Sequence, residues 1–162
     1  MSLFKSAAIT LLAGLGVSGC GFHLQGRQPL PPELQRVCIV AADRQSDFVD
    51  ALRRNLQSSG ATIVTDEKAA TAVLHIDKDE LTQKVLAVSS SNLPREYELT
   101  YRISAHADAG ERVLLERQDL ELSRNFTFAE REVLAKEHER EQLRGELARE
   151  LAATLLRRLR AR

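Results

Sequence analysis

Glu96-Tyr97-Glu98-Leu99-Thr100-Tyr101-Arg102-Ile103-Ser104-Ala105-His106-Ala107 decides the fold, because its polar and apolar residues alternate without a break. A period of two belongs to a strand with one buried face. Tyr97, Leu99, Tyr101, Ile103, Ala105 and Ala107 are therefore expected to face a core, and the residues between them solvent. Such a strand needs a partner. Asp108-Ala109-Gly110 offers the turn, and the return strand carries Val113 and Leu115 on odd positions but Leu120 and Leu122 on even ones. One inserted residue between Glu116 and Asp119, a β-bulge, would bring both pairs to one face.

Downstream, residues 129–162 contain no proline and only one glycine, Gly145, while Leu143, Leu147, Leu151, Leu155 and Leu159 recur every four residues. That is the stripe of a long amphipathic helix. Residues 136–142 are all polar and are expected to form a solvated first turn or two, and Arg157, Arg158, Arg160 and Arg162 suit the negative end of the helix dipole. Upstream, Val37-Cys38-Ile39-Val40-Ala41 is a short apolar run of the kind found inside a sheet with both faces covered. Asp43 and Ser46 are candidate N-caps for a first helix bearing Phe48, Leu52 and Leu56, which Gly60 ends. Residues 61–64 return as strand, so strand, helix and strand form a parallel crossover. Residues 65–70 read as a turn or short helix. Two further short strands are expected at 73–76 and 85–88, separated by charged residues 77–80, with a loop at 89–92 before Pro94. The whole is an α+β fold: two helices on a mixed parallel and antiparallel sheet, ordered as crossover, meander and long C-terminal helix.

The N-terminus has a different character. Lys5, an apolar run from Ala7 to Val17 and then Ser18-Gly19 follow the order of a secretory signal, too short to span a bilayer. Gly19-Cys20 at its end resembles a bacterial lipobox, in which the cysteine is acylated and becomes the first residue of the mature chain. Residues 1–19 are then removed. An ordinary cleaved signal beside an incidental cysteine is the weaker alternative. Three acyl chains, as the lipoprotein resemblance implies, anchor a protein permanently where one holds it only marginally. Gly21 stands where lipoprotein sorting signals carry Asp for inner-membrane retention, which points to the outer membrane. Residues 20–34, with Gly26, Pro29, Pro31 and Pro32, form an extended lipidated tether, and residues 35–162 form one domain.

Composition excludes several function classes. Lys plus Arg and Asp plus Glu both number 23, so no net charge draws the chain to nucleic acid, and with no Trp and 4% aromatics there is no stacking platform for bases. With Cys20 acylated, Cys38 is the one remaining thiol and no intrachain disulfide can form; its apolar setting suits a buried, inert group. The four histidines, His23, His75, His106 and His138, fall in different segments and none makes a two-histidine metal spacing. The acidic run around His138 reads as a solvated helix face, and Ser89-Ser90-Ser91 as a polar turn without a nucleophile elbow. Neither an enzyme, a cofactor nor a metal site is expected.

The lipobox running into Cys20-Gly21-Phe22-His23-Leu24, the strand and helix after it, Arg95-Glu96-Tyr97-Glu98-Leu99, and Leu134-Ala135-Lys136 near the last helix together resemble the LptE family of lipopolysaccharide-assembly lipoproteins. The resemblance implies two helices packed on a sheet of about four mixed parallel and antiparallel strands, and a role without catalysis. It implies an outer-membrane lipoprotein on the periplasmic side that assembles with and plugs the LptD β-barrel, so that lipopolysaccharide reaches the outer leaflet. It also implies lipopolysaccharide binding through basic residues near the strand loop and the start of the last helix. Lys136 matches the second position. Residues 89–92 carry no cation, so the nearest candidates for the first are Arg95 and Lys84; for each of the three, a merely solubilising surface charge is an equal reading. The alternative is a periplasmic scaffold lipoprotein that binds another envelope component.

Overall fold

A computed structural model of the chain describes residues 30–90, 92–127 and 133–161, with side chains in the last segment from Glu137 onward. The signal, Cys20, Gly21 and most of the tether lie outside the described residues. Five strands form one sheet in the order β2-β1-β3-β4-β5, one more than the family resemblance implied. They are β1 (Arg36–Ala41), β2 (Thr62–Val64), β3 (Ala72–Val88), β4 (Pro94–Ala109) and β5 (Arg112–Thr127). Helix α1 (Asp47–Ser58) connects β1 to β2, and α2 (Val133–Arg160) ends the chain.

The expected crossover is present: β1 pairs in parallel with β2 through Val37↔Ile63, and also with β3 through Ile39↔Leu74. Ser46 caps α1, its hydroxyl accepting from the Val49 N–H, and Gly60 ends that helix region with a φ of 101° that glycine adopts without strain. A 3-10 turn (Glu67–Ala69) carries the chain from β2 across β1 into β3. Strand β1 is interior to the sheet as expected, yet only Val37 and Cys38 are buried; Ile39, Val40 and Ala41 are half-buried.

Residues 73–76 and 85–88, read from sequence as two strands, are parts of the single 17-residue β3. The apolar phase misled because the register slips between Ile76 and Lys78. Before the slip Leu74 and Ile76 share a face with Ala107 and Ala105; after it Asp79 and Leu81 share that face with Ile103 and Tyr101. Asp77 is the extra residue, and pairing with β4 carries the strand through the charged stretch. In β5 the expected bulge is there: Ala105 pairs with Gln118 and Ala107 with Leu115, leaving one residue over on β5. Leu115 and Leu120 are buried on one face as that bulge requires. Val113 is not, at 52% exposure, because a second slip follows between Ala107 and Asp108. The hairpin turn falls at Gly110 and Glu111, one residue later than expected, with φ positive (61°) at Gly110 alone, as in a type II′ turn.

Both helices lie on one face of the sheet. Phe48, Leu52 and Leu56 of α1 and Leu147, Leu151 and Leu155 of α2 are buried against Leu74, Leu99 and Ile103. Asp47 and Arg144 form an ion pair between the first turn of α1 and α2. The core begins earlier than residue 35: Leu34, assigned from sequence to the tether, is 2% exposed within a 3-10 turn (Pro32–Gln35), and Leu30 packs beside it. Proline-rich sequence resists a long helix, but it admits one short turn with Pro at its start. Glu33 is tied there to Arg112 at the head of β5, and its own backbone N–H and then that guanidinium hold its carboxyl below the usual range.

Candidate functional site

Alternation in β4 leaves the second face of the sheet to the even residues, and no described helix covers it. Thr100 and Ser123 bond across β4 and β5 at 2.8 Å, and Arg102 reaches Glu121 at 2.7 Å. Ser104 is 6% exposed on this face, and its hydroxyl finds no partner among the described residues. Cys38 also belongs to this face, yet residues 65–71 pass over it: its thiol approaches the Thr65 carbonyl at 3.7 Å, and desolvation raises its pKa. A buried thiol so held is inert, as the apolar run around it implies.

Toward the β3–β4 hairpin the cover thins. Residues 83–88 of β3 are all exposed, including Val85 (44%), Leu86 (41%) and Val88 (54%), and Leu93 across the loop is 45% exposed. Tyr97 and Phe126 stack at 5.4 Å behind Val85, which pairs with Tyr97. Lys84 and Arg95 are both exposed on this same end, Lys84 opposite Glu98 and Arg95 one residue into β4.

Lys136 lies in the first turn of α2; its backbone is helical and its side chain is outside the described residues. The direction of α2 is fixed by Arg158 on Gln118 and by Arg124 on Glu150, so the helix runs antiparallel to β5. Its N-terminal turns therefore point to the end that carries the β3–β4 loop. Sequence reasoning thus selected two cations on this hairpin, Lys84 and Arg95, and one position, 136, whose backbone lies in the turn of α2 directed toward the same end. Arg140 and Arg144, which it did not single out, flank Leu81, Thr82 and Gln83 around a recess of about 220 Å³ near that end.

The sequence reading missed a cluster at the opposite end of the open face. His75 and His106 are directly opposed in the β3–β4 register, their rings stacked at 4.6 Å and 8°. Asp77 and Asp108 flank them, and Arg117 reaches Asp77 at 3.4 Å. A search for helical histidine spacings could not find a pair made by strand register. The one local signal was His106-Ala107-Asp108, whose first and third residues share a face in any strand.

The profile of the LptE family, described as lipopolysaccharide-assembly, matches residues 34–159. An LPS-assembly lipoprotein LptE from Yersinia enterocolitica is 32% identical over 161 residues, covering 93% of this chain and 74% of its own. One of the same name from Photorhabdus laumondii is 31% identical, covering 93% and 84%. Among solved structures, an uncharacterized lipoprotein B from Nitrosomonas europaea superposes with a TM-score of 0.70 at 29% identity, over 87% of this chain and 91% of that one. The rare lipoprotein B of Shewanella oneidensis shares the fold, with a TM-score of 0.63 at 23% identity over 75% and 91%. The matched span opens at buried Leu34 and closes at buried Leu159, the limits of the packed core itself, and the chain therefore belongs to the LptE lipopolysaccharide-assembly family.

Proposed function

We propose that this chain is an outer-membrane lipoprotein, acylated at Cys20 after loss of residues 1–19, that assembles with and plugs an LptD-like β-barrel and binds lipopolysaccharide on its way to the outer leaflet. Family membership implies the assembly role. One observation supports the finer reading: a single end of the sheet offers cations and exposed apolar side chains together, Lys84 and Arg95 beside Val85, Leu86, Val88 and Leu93, with Lys136 at the head of α2. A glycolipid that carries phosphates next to acyl chains calls for that mixture, because phosphate is held by charge-assisted hydrogen bonds and acyl chains by apolar area. Nothing in this role asks for catalysis.

The test is lipopolysaccharide binding by the mature acylated chain in detergent, with Lys84, Arg95 and Lys136 reversed to Glu. Each lost charge-assisted contact is worth about 1.5–3 kcal/mol, so the triple variant is expected to bind at least tenfold more weakly. Added salt should narrow the gap. Folding should hardly respond, since exposed charges add little and Glu at position 136 favours the helix N-terminus. Wild-type affinity in the triple variant would contradict the assignment and favour a scaffold for another envelope component; a collapsed melting curve would make these residues structural.

A further inference from the structure

His75, His106 and Asp108 meet on the open sheet face, at the end away from the β3–β4 loop. All three are half-buried, and each offers one donor atom within 4.8 Å of the other two. The strand register assembles them: His75 opposes His106, and Asp108 follows two residues on, on the same face. Asp77 completes the arrangement. As the extra residue of the β3 bulge it is turned toward His106, where its carboxylate sits 2.8 Å from Nδ1.

That contact orients the chemistry. With Asp77 on Nδ1, the second ring nitrogen of His106, Nε2, is left facing the Asp108 carboxylate at 3.8 Å. A cation held between that nitrogen and the carboxylate would be a ligand-bound ion shared by both. Arg117 does not fill that role, because it pairs with Asp77 at 3.4 Å on the other side of the ring. A carboxylate that fixes a histidine tautomer from behind is the usual outer partner of a metal-bound imidazole. Two imidazoles and one carboxylate are a zinc donor set with one position left for water. Zinc bonds of about 2.0–2.2 Å at a tetrahedral angle put donors about 3.4 Å apart, so Nε2 and the Asp108 oxygen need close by a few tenths of an ångström, while the half-buried His75 ring must turn out of its stack with His106 to aim its lone pair at the same ion.

We infer that His75, His106 and Asp108 form a binding site for one divalent transition-metal ion of the zinc class, with Asp77 as the positioning residue for His106. The ion bridges β3 and β4 on the face opposite the helices. Imidazole-rich sites also accept Ni²⁺ and Cu²⁺, while an all-oxygen ion such as Mg²⁺ has no reason to prefer this one.

The experiment is calorimetric titration of ZnCl₂ into the chelator-stripped, acylated full chain in detergent. One Zn²⁺ per chain is expected. The double change His75→Gln/His106→Gln keeps polarity and approximate size, and should weaken binding at least a hundredfold. Asp77→Asn should weaken it about tenfold. His138→Ala, at an exposed position on α2, should leave it unchanged. A second readout guards against misfolding: Co²⁺ bound by the wild type should show the intense visible bands of a four-coordinate site, and those bands should vanish in the double variant while its far-ultraviolet spectrum stays native. Zinc binding that survives in the double variant overturns the site, as does Co²⁺ that stays six-coordinate in the wild type.

Discussion

Ser46 does two things at once. Its hydroxyl caps α1 and donates to Asp79 on β3 at 2.5 Å, and the Asp79 carboxylate lies beside the Tyr101 hydroxyl of β4. Helix and sheet are thereby joined by a small polar knot inside an apolar layer, with Tyr101 only 3% exposed. Ser46→Ala should lose about 1–2 kcal/mol in chemical unfolding, from the cap and from Asp79 left short of a donor. Ser46→Asp gives the same knot a sharper test. Aspartate is as good a cap as serine in isolation, but here it would set a second carboxylate against Asp79, so it should be no more stable than alanine. Burial first, and then the contact with Asp79, push the Tyr101 hydroxyl far above the usual tyrosine range. The folded state therefore favours the neutral phenol. That contribution is whole below about pH 10, where the unfolded chain starts to ionise, and fades as pH rises toward the folded value. Tyr101→Phe should be less stable at neutral pH, and its stability should fall less on going from pH 9 to pH 11. The two cysteines separate just as cleanly: Cys20→Ala should abolish incorporation of a labelled fatty acid, and Cys38→Ala should not. Label retained in the Cys20 variant would place the start of the mature chain elsewhere.

At the scale of elements, α2 depends on its leucine stripe more than on intrinsic propensity. Leu151 is 1% exposed, and Leu151→Ala should cost about 2–5 kcal/mol, because the packed layer cannot close over the space. Gly145 points the other way. Its backbone is ordinary helix, and an added Cβ would meet only the guanidinium end of Arg149 at 3.2 Å, a flexible group that can yield. Gly145→Ala should therefore stabilise by up to about 1 kcal/mol, seen as a raised melting temperature. The regular elements were the ones legible in sequence. The α2 period, the Ser46 cap, the Gly60 stop and the β4 alternation each record one physical rule acting alone. The β5 bulge was legible as well, since buried Leu115 and Leu120 on opposite parity needed one extra residue. The continuity of β3 was not, because a bulge at Asp77 changes the buried parity where charge is already dense, and only pairing with β4 shows that one strand runs through. The buried turn at Leu34 was hidden by the prolines around it.

For the whole molecule, the fold is a two-layer plate with helices on one side and a polar sheet face on the other. Sequence showed which residues face the core, but not which distant residues share an end. Lys84 and Arg95 share an end through the β3–β4 hairpin, and the backbone of position 136 is directed there because α2 runs antiparallel to β5; their selection rested on family resemblance. The His75–His106 pair escaped notice for the same reason, since register is a property of two strands and neither carries it alone. An exposed polar sheet face beside an apolar, cationic end is poorly explained by a chain that works alone, and the central claim is that a large β-barrel surrounds it. The direct measurement is purification of the acylated protein from outer membranes in mild detergent, through a tag at its C-terminus. The account predicts that a large outer-membrane β-barrel comes with it in a one-to-one ratio and stays bound through high salt. Recovery of the lipoprotein from that membrane without a barrel would contradict it.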